Sequence, residues 1–388
     1  MKKWIVLVIM LAACGSEDKP TLGNNADNSQ TDVGADTGVE SDATLPDASA
    51  DQGADQGMSE TCATQEDCLY AIADNAVVDV DGGITRETVI GRDLPLLLNM
   101  PTTAGPAPVV IFSHGGSFEP AGQNNNQKWG ALLARNGFVV IHIGHSLVGA
   151  GQGTKVCMAA NVPQTECSPD EEDNGLLTVI RAYDIAAVLD DLPRISELTQ
   201  ANNYPALDLD RVAIMGWSAG SRGPSVLMGA KMLTTANSPL FKLPHATPKV
   251  AVMLSPSGPG TGGYFANDAE NSWDEMRGPI FFATGTNDVK PSSPELTGAV
   301  RRQAFDLQKA EGNRYLLYSN LAVGIGGHGT YDLGDATSDG PLADLSLALS
   351  ASVLAFLDAE LNGSDEAKAW LASDKALQLA GDAEWSKK

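Results

Sequence analysis

A serine hydroxyl is a weak nucleophile at neutral pH until a base takes its proton, and an imidazole does this well only when a carboxylate fixes its tautomer. Ser218, Asp288 and His328 meet that demand, in that order along the chain. Ser218 stands in Gly216-Trp217-Ser218-Ala219-Gly220, after the apolar run Arg211-Val212-Ala213-Ile214-Met215. It precedes Ser221 to Lys231, which holds enough Ala, Leu and Met to read as a helix despite Pro224. A Gly-x-Ser-x-Gly turn between strand and helix is a nucleophile elbow. The turn is so tight that the residues two on either side of the serine must be small. Asp288 follows a strand in Gly285-Thr286-Asn287-Asp288, and His328 follows the last strand in Gly326-Gly327-His328-Gly329. Duller roles exist for both: a glycine-flanked histidine can cap a turn, and an Asn-Asp pair often makes one. In that case Asp268 or Asp274 is the next acid.

Charge that develops on an attacked carbonyl oxygen needs two aimed backbone donors. Ala219 supplies one. The other belongs to His114-Gly115-Gly116-Ser117, with Gly116 ahead of Ser117 because glycine lets a backbone approach closely. His114 orders that loop, while His142 and His145 close a strand and read as packing and loop hydrogen bonds. Phe118 and Trp217, with Trp273 as a further candidate, stand where they could line a substrate pocket; Trp217 equally reads as packing beneath the elbow. This set calls for no metal and no organic cofactor.

These groups must be carried to one place by the elements between them. Val109 to Ser113 and Phe138 to His142 are unbroken apolar runs, as are Val250 to Leu254, Ile280 to Ala283 and Tyr315 to Tyr318. Such runs mark strands covered on both faces. Val77 to Asp81, Thr88 to Ile90 and Leu94 to Met100 read as antiparallel edge strands. Helical patterns fall at Gln127 to Asn136, Leu176 to Leu198, Pro294 to Glu311 and Leu342 to Leu361. Ser146 to Asn174 reads as a long polar loop, and nothing firm is legible from Asn362 onward. Strands alternating with helices give an α/β class, a mostly parallel sheet with helices on both faces. In such sheets functional groups gather at the carboxyl ends of the strands.

The chain has 388 residues and a formal charge of −24, which excludes nucleic acid as a partner because phosphates demand a basic surface. Lys2 and Lys3 precede the apolar run Trp4 to Leu11, a pattern of export rather than of a membrane span. Leu11-Ala12-Ala13-Cys14 resembles the bacterial lipobox, which implies a signal peptide over 1–13, lipidation of Cys14 and a membrane attached through that lipid. Gly15 in place of aspartate points to the outer membrane. Residues 14–60 are acidic and nearly devoid of large apolar side chains, so they read as a disordered linker, with one catalytic domain over 61–388. Four further cysteines allow three pairings. Export favours disulfides, and close spacing favours Cys62–Cys68 and Cys157–Cys167. The absence of a C-x-x-C motif and of nearby histidines speaks against metal there.

At Val109 to Gly116, Gly137 to Ile143, Arg181 to Leu192 and Leu207 into the elbow, the chain resembles the α/β-hydrolase superfamily. Within it the likeness is to the dienelactone hydrolase and platelet-activating-factor acetylhydrolase-like group, and Gly-Trp-Ser is similar to cutinase-like polyester hydrolases. The resemblance implies the α/β-hydrolase fold and hydrolysis of a small or polymeric carboxylic ester through an acyl-serine. Ser218 departs from the cysteine of dienelactone hydrolases proper. Asp288 lies one strand later than the acid of the lipid-acetylhydrolase branch. A catalytically silent binding lipoprotein and a peptidase of the same fold are the alternatives.

Overall fold

A computed structural model describes residues 62–70, 73, 75–81, 94–116, 122–145, 174–233, 240–259, 265, 272–290, 294–309, 313–334 and 339–388. All of them belong to one unit, residues 59–388. The stretches expected as signal peptide, acidic linker, the strand at Thr88 to Ile90 and the polar loop through residue 173 lie outside the described residues, as do Cys14, Cys157, Cys167, Ser117, Phe118 and Asp268.

The strands are β1 (Val77–Asp81), β2 (Leu96–Pro101), β3 (Ala107–Ser113), β4 (Val139–Ile143), β5 (Leu207–Trp217), a short antiparallel pair β6 (Met232–Leu233) and β7 (Leu240–Phe241), then β8 (Val250–Leu254), β9 (Ile280–Gly285), β10 (Arg314–Ser319) and β11 (Ala383–Lys387). Apart from that pair they form a nine-stranded sheet ordered β1-β2-β4-β3-β5-β8-β9-β10-β11. Neighbours from β4 through β10 run parallel, while β1, β2 and β11 pair antiparallel. The order reverses between β3 and β5: the chain leaves β3 for β4 on one side and returns to β5 on the other. Such a reversal opens a crevice at the carboxyl ends of the two strands.

Every residue of β3, β4, β8, β9 and β10 is buried, because both faces of the sheet are covered. Alternation along a strand sends Val109 and Ile111 of β3 into one core and Val110 and Phe112 into the other. The first core lies under α3 (Asn174–Ala201), α4 (Arg222–Leu227) and α5 (Gly298–Asp306). The second lies under α2 (Gln127–Arg135), α6 (Pro341–Leu361), α7 (Asp365–Leu371) and α8 (Lys375–Ala380), with α1 (Gln65–Cys68) beside them. By length and composition α6 could cross a membrane, yet it is mostly buried here. A helix apolar all round is what a core position asks for.

Several elements differ from the expectation. The segment expected as a helix from Ser221 to Lys231 is helical only to Leu227, since Gly229 takes φ 110° and ends it. Helix α5 begins later than Pro294, where the Thr297 side chain accepts the Val300 N–H as an N-cap. Strand β5 starts at Leu207 and bulges against Pro108 and Val109, so Asp208 to Asp210 are part of it. The C-terminal stretch, unread in the sequence, forms α7, α8 and β11. Strand β11 covers the outer edge of β10, with Trp385 against Phe281 and Tyr315. Cys62 and Cys68 sit at disulfide distance, with Cα atoms 5.5 Å apart.

Candidate active site

Strand β5 runs straight into a 3₁₀ turn over Ser218–Ser221, which leads on to α4. Ser218 has φ 55°, in the left-handed region that costs a side-chain-bearing residue about 1 kcal/mol or more. The chain accepts that strain because its surroundings leave it no room to relax. A methyl group added at Gly216 would lie 2.2 Å from the Gly220 carbonyl oxygen, and one at Gly220 would lie 2.0 Å from that of Ser113. The two glycines therefore let the turn close on itself and dock on the end of β3. The Ser221 hydroxyl donates to the Ser218 carbonyl at 2.7 Å and braces the corner.

His328 lies on a 3₁₀ turn, His328–Asp332, beyond β10. The Ser218 hydroxyl is 2.7 Å from His328 Nε2, and His328 Nδ1 is 2.6 Å from Asp288 Oδ1. Donation from serine to Nε2 and from Nδ1–H to the carboxylate satisfies both contacts at once. Asp288 sits just past β9 and is fully buried. An isolated buried carboxylate would be costly, and here its other oxygen accepts the Thr284 hydroxyl at 2.7 Å while Arg301 approaches Oδ1 at 3.3 Å. Arg301 also donates to the carbonyls of Asp288, Ser255 and Pro256. Burial pulls this arginine below the usual guanidinium range, and the Asp288 charge opposes that pull.

Two residues hold the histidine loop. Asn287 Nδ2 faces the carbonyls of Leu321, Ala322 and Ile325 at 3.0, 2.8 and 2.9 Å. The Trp217 ring lies 5.0 Å from that of His328, and its Nε1–H donates to the His328 carbonyl at 3.2 Å. The same indole fills the space above Gly115, where an added methyl would come within 2.2 Å of it. Trp217 is thus cleft wall and support together.

A cleft of about 300 Å³ opens over Ser218 and His328, lined also by Gly115, Gly116, Trp217 and Lys290, with Asn126 and Asp332 bonded to each other at its rim. Lys290, Asn126 and Asp332 carry no motif that would have flagged them. Gly116 has φ 74°, and among the described residues nothing lies within 4 Å of a methyl added there. His114 is turned into its own loop, with Nδ1 2.7 Å from the Gly115 carbonyl. Burial, then the Arg181 charge, pushes it down to about 4, against the pull of that hydrogen bond.

No family model matches the chain, and no curated protein matches its sequence.

Of the residues singled out by sequence, Ser218, Ala219, Trp217, Asp288, His328 and Gly116 converge at the carboxyl ends of β3, β5, β9 and β10. Two do not. Trp273 is buried in the first core, 5.2 Å from Phe265, and lines no part of the cleft. Asp274 pairs with Lys231 at 2.6 Å and is not the carboxylate on His328. His142 is buried against Asn99, and His145 is buried between Ser113 and Asp184. Among the described residues no three His, Cys, Asp or Glu side chains cluster as metal ligands would. The cleft can present an oxygen nucleophile, a base already in contact with it, and a buried anion behind the base.

Proposed function

We propose that the protein is a serine hydrolase of the α/β-hydrolase type that cleaves carboxylic esters through an acyl-enzyme on Ser218. The observation that carries this reading is the unbroken chain from the Ser218 hydroxyl through His328 to Asp288, at 2.7 and 2.6 Å, opening on a cleft. As Ser218 Oγ attacks the ester carbonyl, His328 Nε2 takes its proton, and Asp288 stabilises the imidazolium without itself accepting the proton. The carbonyl oxygen becomes an anion, met by the N–H groups of Ala219 and Gly116, with Ser117 as the second candidate on that loop. Collapse of the tetrahedral intermediate breaks the bond to the alcohol oxygen, which leaves with the proton from His328. Water then enters, is deprotonated by the same imidazole, and releases the acid from Ser218.

The reading is tested by turnover of p-nitrophenyl acetate and butyrate. We expect Ser218→Ala and His328→Ala each to lower kcat by about 10⁴-fold or more. Equal rates in the parent and Ser218→Ala proteins would sink it and leave the binding-lipoprotein alternative standing. A marked preference for anilides over the matching esters would move the activity to a peptidase.

A further inference from the structure

A second serine–histidine–aspartate chain lies behind the first. The Ser113 hydroxyl is 2.9 Å from His145 Nε2, and His145 Nδ1 is 2.7 Å from Asp184 Oδ2. All three residues have no exposed surface at all, so no substrate reaches them. A buried chain of this kind costs desolvation and must be repaid through position rather than chemistry. What it positions is the end of β3, where Ser113 opens into the loop beside Ser218.

Arg181 connects this chain to the cleft. It stands one helical turn before Asp184 on α3, so the two side chains share a face. Its guanidinium is buried and donates through Nη1 to the His114 carbonyl at 2.7 Å and through Nη2 to the Gly116 carbonyl at 2.9 Å. Nη1 also reaches the Ser113 hydroxyl at 3.3 Å. The carbonyl between those two, that of Gly115, is held by His114 Nδ1. In a trans peptide the C=O and the following N–H point in opposite directions. The Gly116 N–H shares its peptide plane with the Gly115 carbonyl, so His114 sets that plane directly while Arg181 fixes the planes on either side of it. Gly116 needs that help, because a glycine at φ 74° has wide conformational freedom and no side chain to anchor it.

We propose that Arg181, backed by Ser113, His145 and Asp184, is a positioning residue that clamps the peptides on either side of the Gly115–Gly116 peptide, whose own carbonyl His114 holds, and so presets the Gly116 N–H for the oxyanion. The role rests on Ser218 being the nucleophile. A planar fork with donors to two carbonyls is something a lysine cannot copy, so Arg181→Lys tests geometry while keeping the charge. Three readouts are taken on the whole chain: kcat and KM for p-nitrophenyl butyrate, the rate of Ser218 phosphonylation by a fluorophosphonate, and circular dichroism with thermal melting. Loss of one oxyanion donor costs about 10²–10³-fold in kcat. We expect Arg181→Lys and Arg181→Gln to lose about 10²-fold in both kcat and phosphonylation, with KM changed less than about threefold and lysine keeping the higher rate. Ser113→Ala, which removes a single buried hydroxyl, should lower both rates several-fold and decides the matter if the arginine variants do not fold. Folded variants that match the parent in kcat and phosphonylation, or that change KM alone, overturn the positioning role. A parent protein that is not phosphonylated at Ser218 overturns the hydrolase reading itself, and with it this one.

Discussion

At the scale of the residue, Trp217 carries more than its place in the motif announces. It is the variable position of Gly-x-Ser-x-Gly, yet it packs against Gly115 on one side and His328 on the other. A cleft wall and a support predict different kinetics. A wall lowers substrate binding and raises KM; a support that lets the imidazole drift lowers kcat, and a misplacement of about 1 Å costs about 10²-fold. We expect Trp217→Phe, which keeps a ring but loses the N–H donor to the His328 carbonyl, to lower kcat less than about tenfold. Trp217→Ala should lose about 10²-fold in kcat with the smaller change in KM. Michaelis constants for p-nitrophenyl esters decide it, and a pure KM effect in both variants would leave Trp217 as wall alone. The same scale shows why some of the site is legible in the sequence and some is not. Ser218, Asp288 and His328 could be found because their types, order and strand-end positions follow from the chemistry. Arg181, Arg301 and Asn287 could not, because they act on backbone carbonyls, and a carbonyl leaves no mark on residue type.

At the scale of the element, apolar runs announced the buried strands because both of their faces had to be covered. Strand β11 escaped notice for the converse reason: at the sheet edge it is half exposed, and Trp385 is its chief apolar anchor. The packing of α2 over β2 and β4 has a consequence in pH. A methyl group at Gly130 of α2 would lie 1.9 Å from Asn99 Oδ1 and 2.3 Å from His142 Nε2, so the helix rests directly on that buried pair. Burial foremost, then the neighbouring His114, pushes His142 down to about 3. Its native value is thus below the ordinary histidine value of about 6.5 held in the unfolded chain. As pH falls below about 6.5 the unfolded chain gains a proton that the native state refuses, so stability present above that pH is lost toward the native value, by about 1.4 kcal/mol per pH unit. His114, pushed down to about 4, acts with the same sign. The raised carboxyls of Asp358 and Glu360 act with the opposite sign and are common to parent and variant. His142→Gln keeps a donor for Asn99 and removes the titrating group. Urea unfolding at pH 7 and pH 5.5 should show a shallower loss of stability in the variant, by about one proton's worth. Parallel losses in the two proteins would show that His142 takes its proton without unfolding.

At the scale of the whole molecule, the proposed chemistry and the proposed address occupy separate stretches. None of the site residues falls in the N-terminal unit, Met1–Met58, which contains Lys2, Lys3, the apolar run to Leu11 and Cys14. We propose that this stretch directs export and that Cys14 carries the lipid. A single acyl chain gives only marginal, reversible attachment, so stable anchoring asks for the several chains a lipobox cysteine receives. Expression in a Gram-negative host with radiolabelled palmitate should label the parent protein and send it to the membrane fraction. Cys14→Ser should take up no label and leave that fraction, while kcat per molecule on p-nitrophenyl butyrate stays at the parent value, since the proposed catalytic residues all lie in residues 59–388. Label persisting in Cys14→Ser would remove the anchor and leave the hydrolase intact. Lost label with lost turnover would instead tie the lipid to the working state of the enzyme and end the separation of address from chemistry.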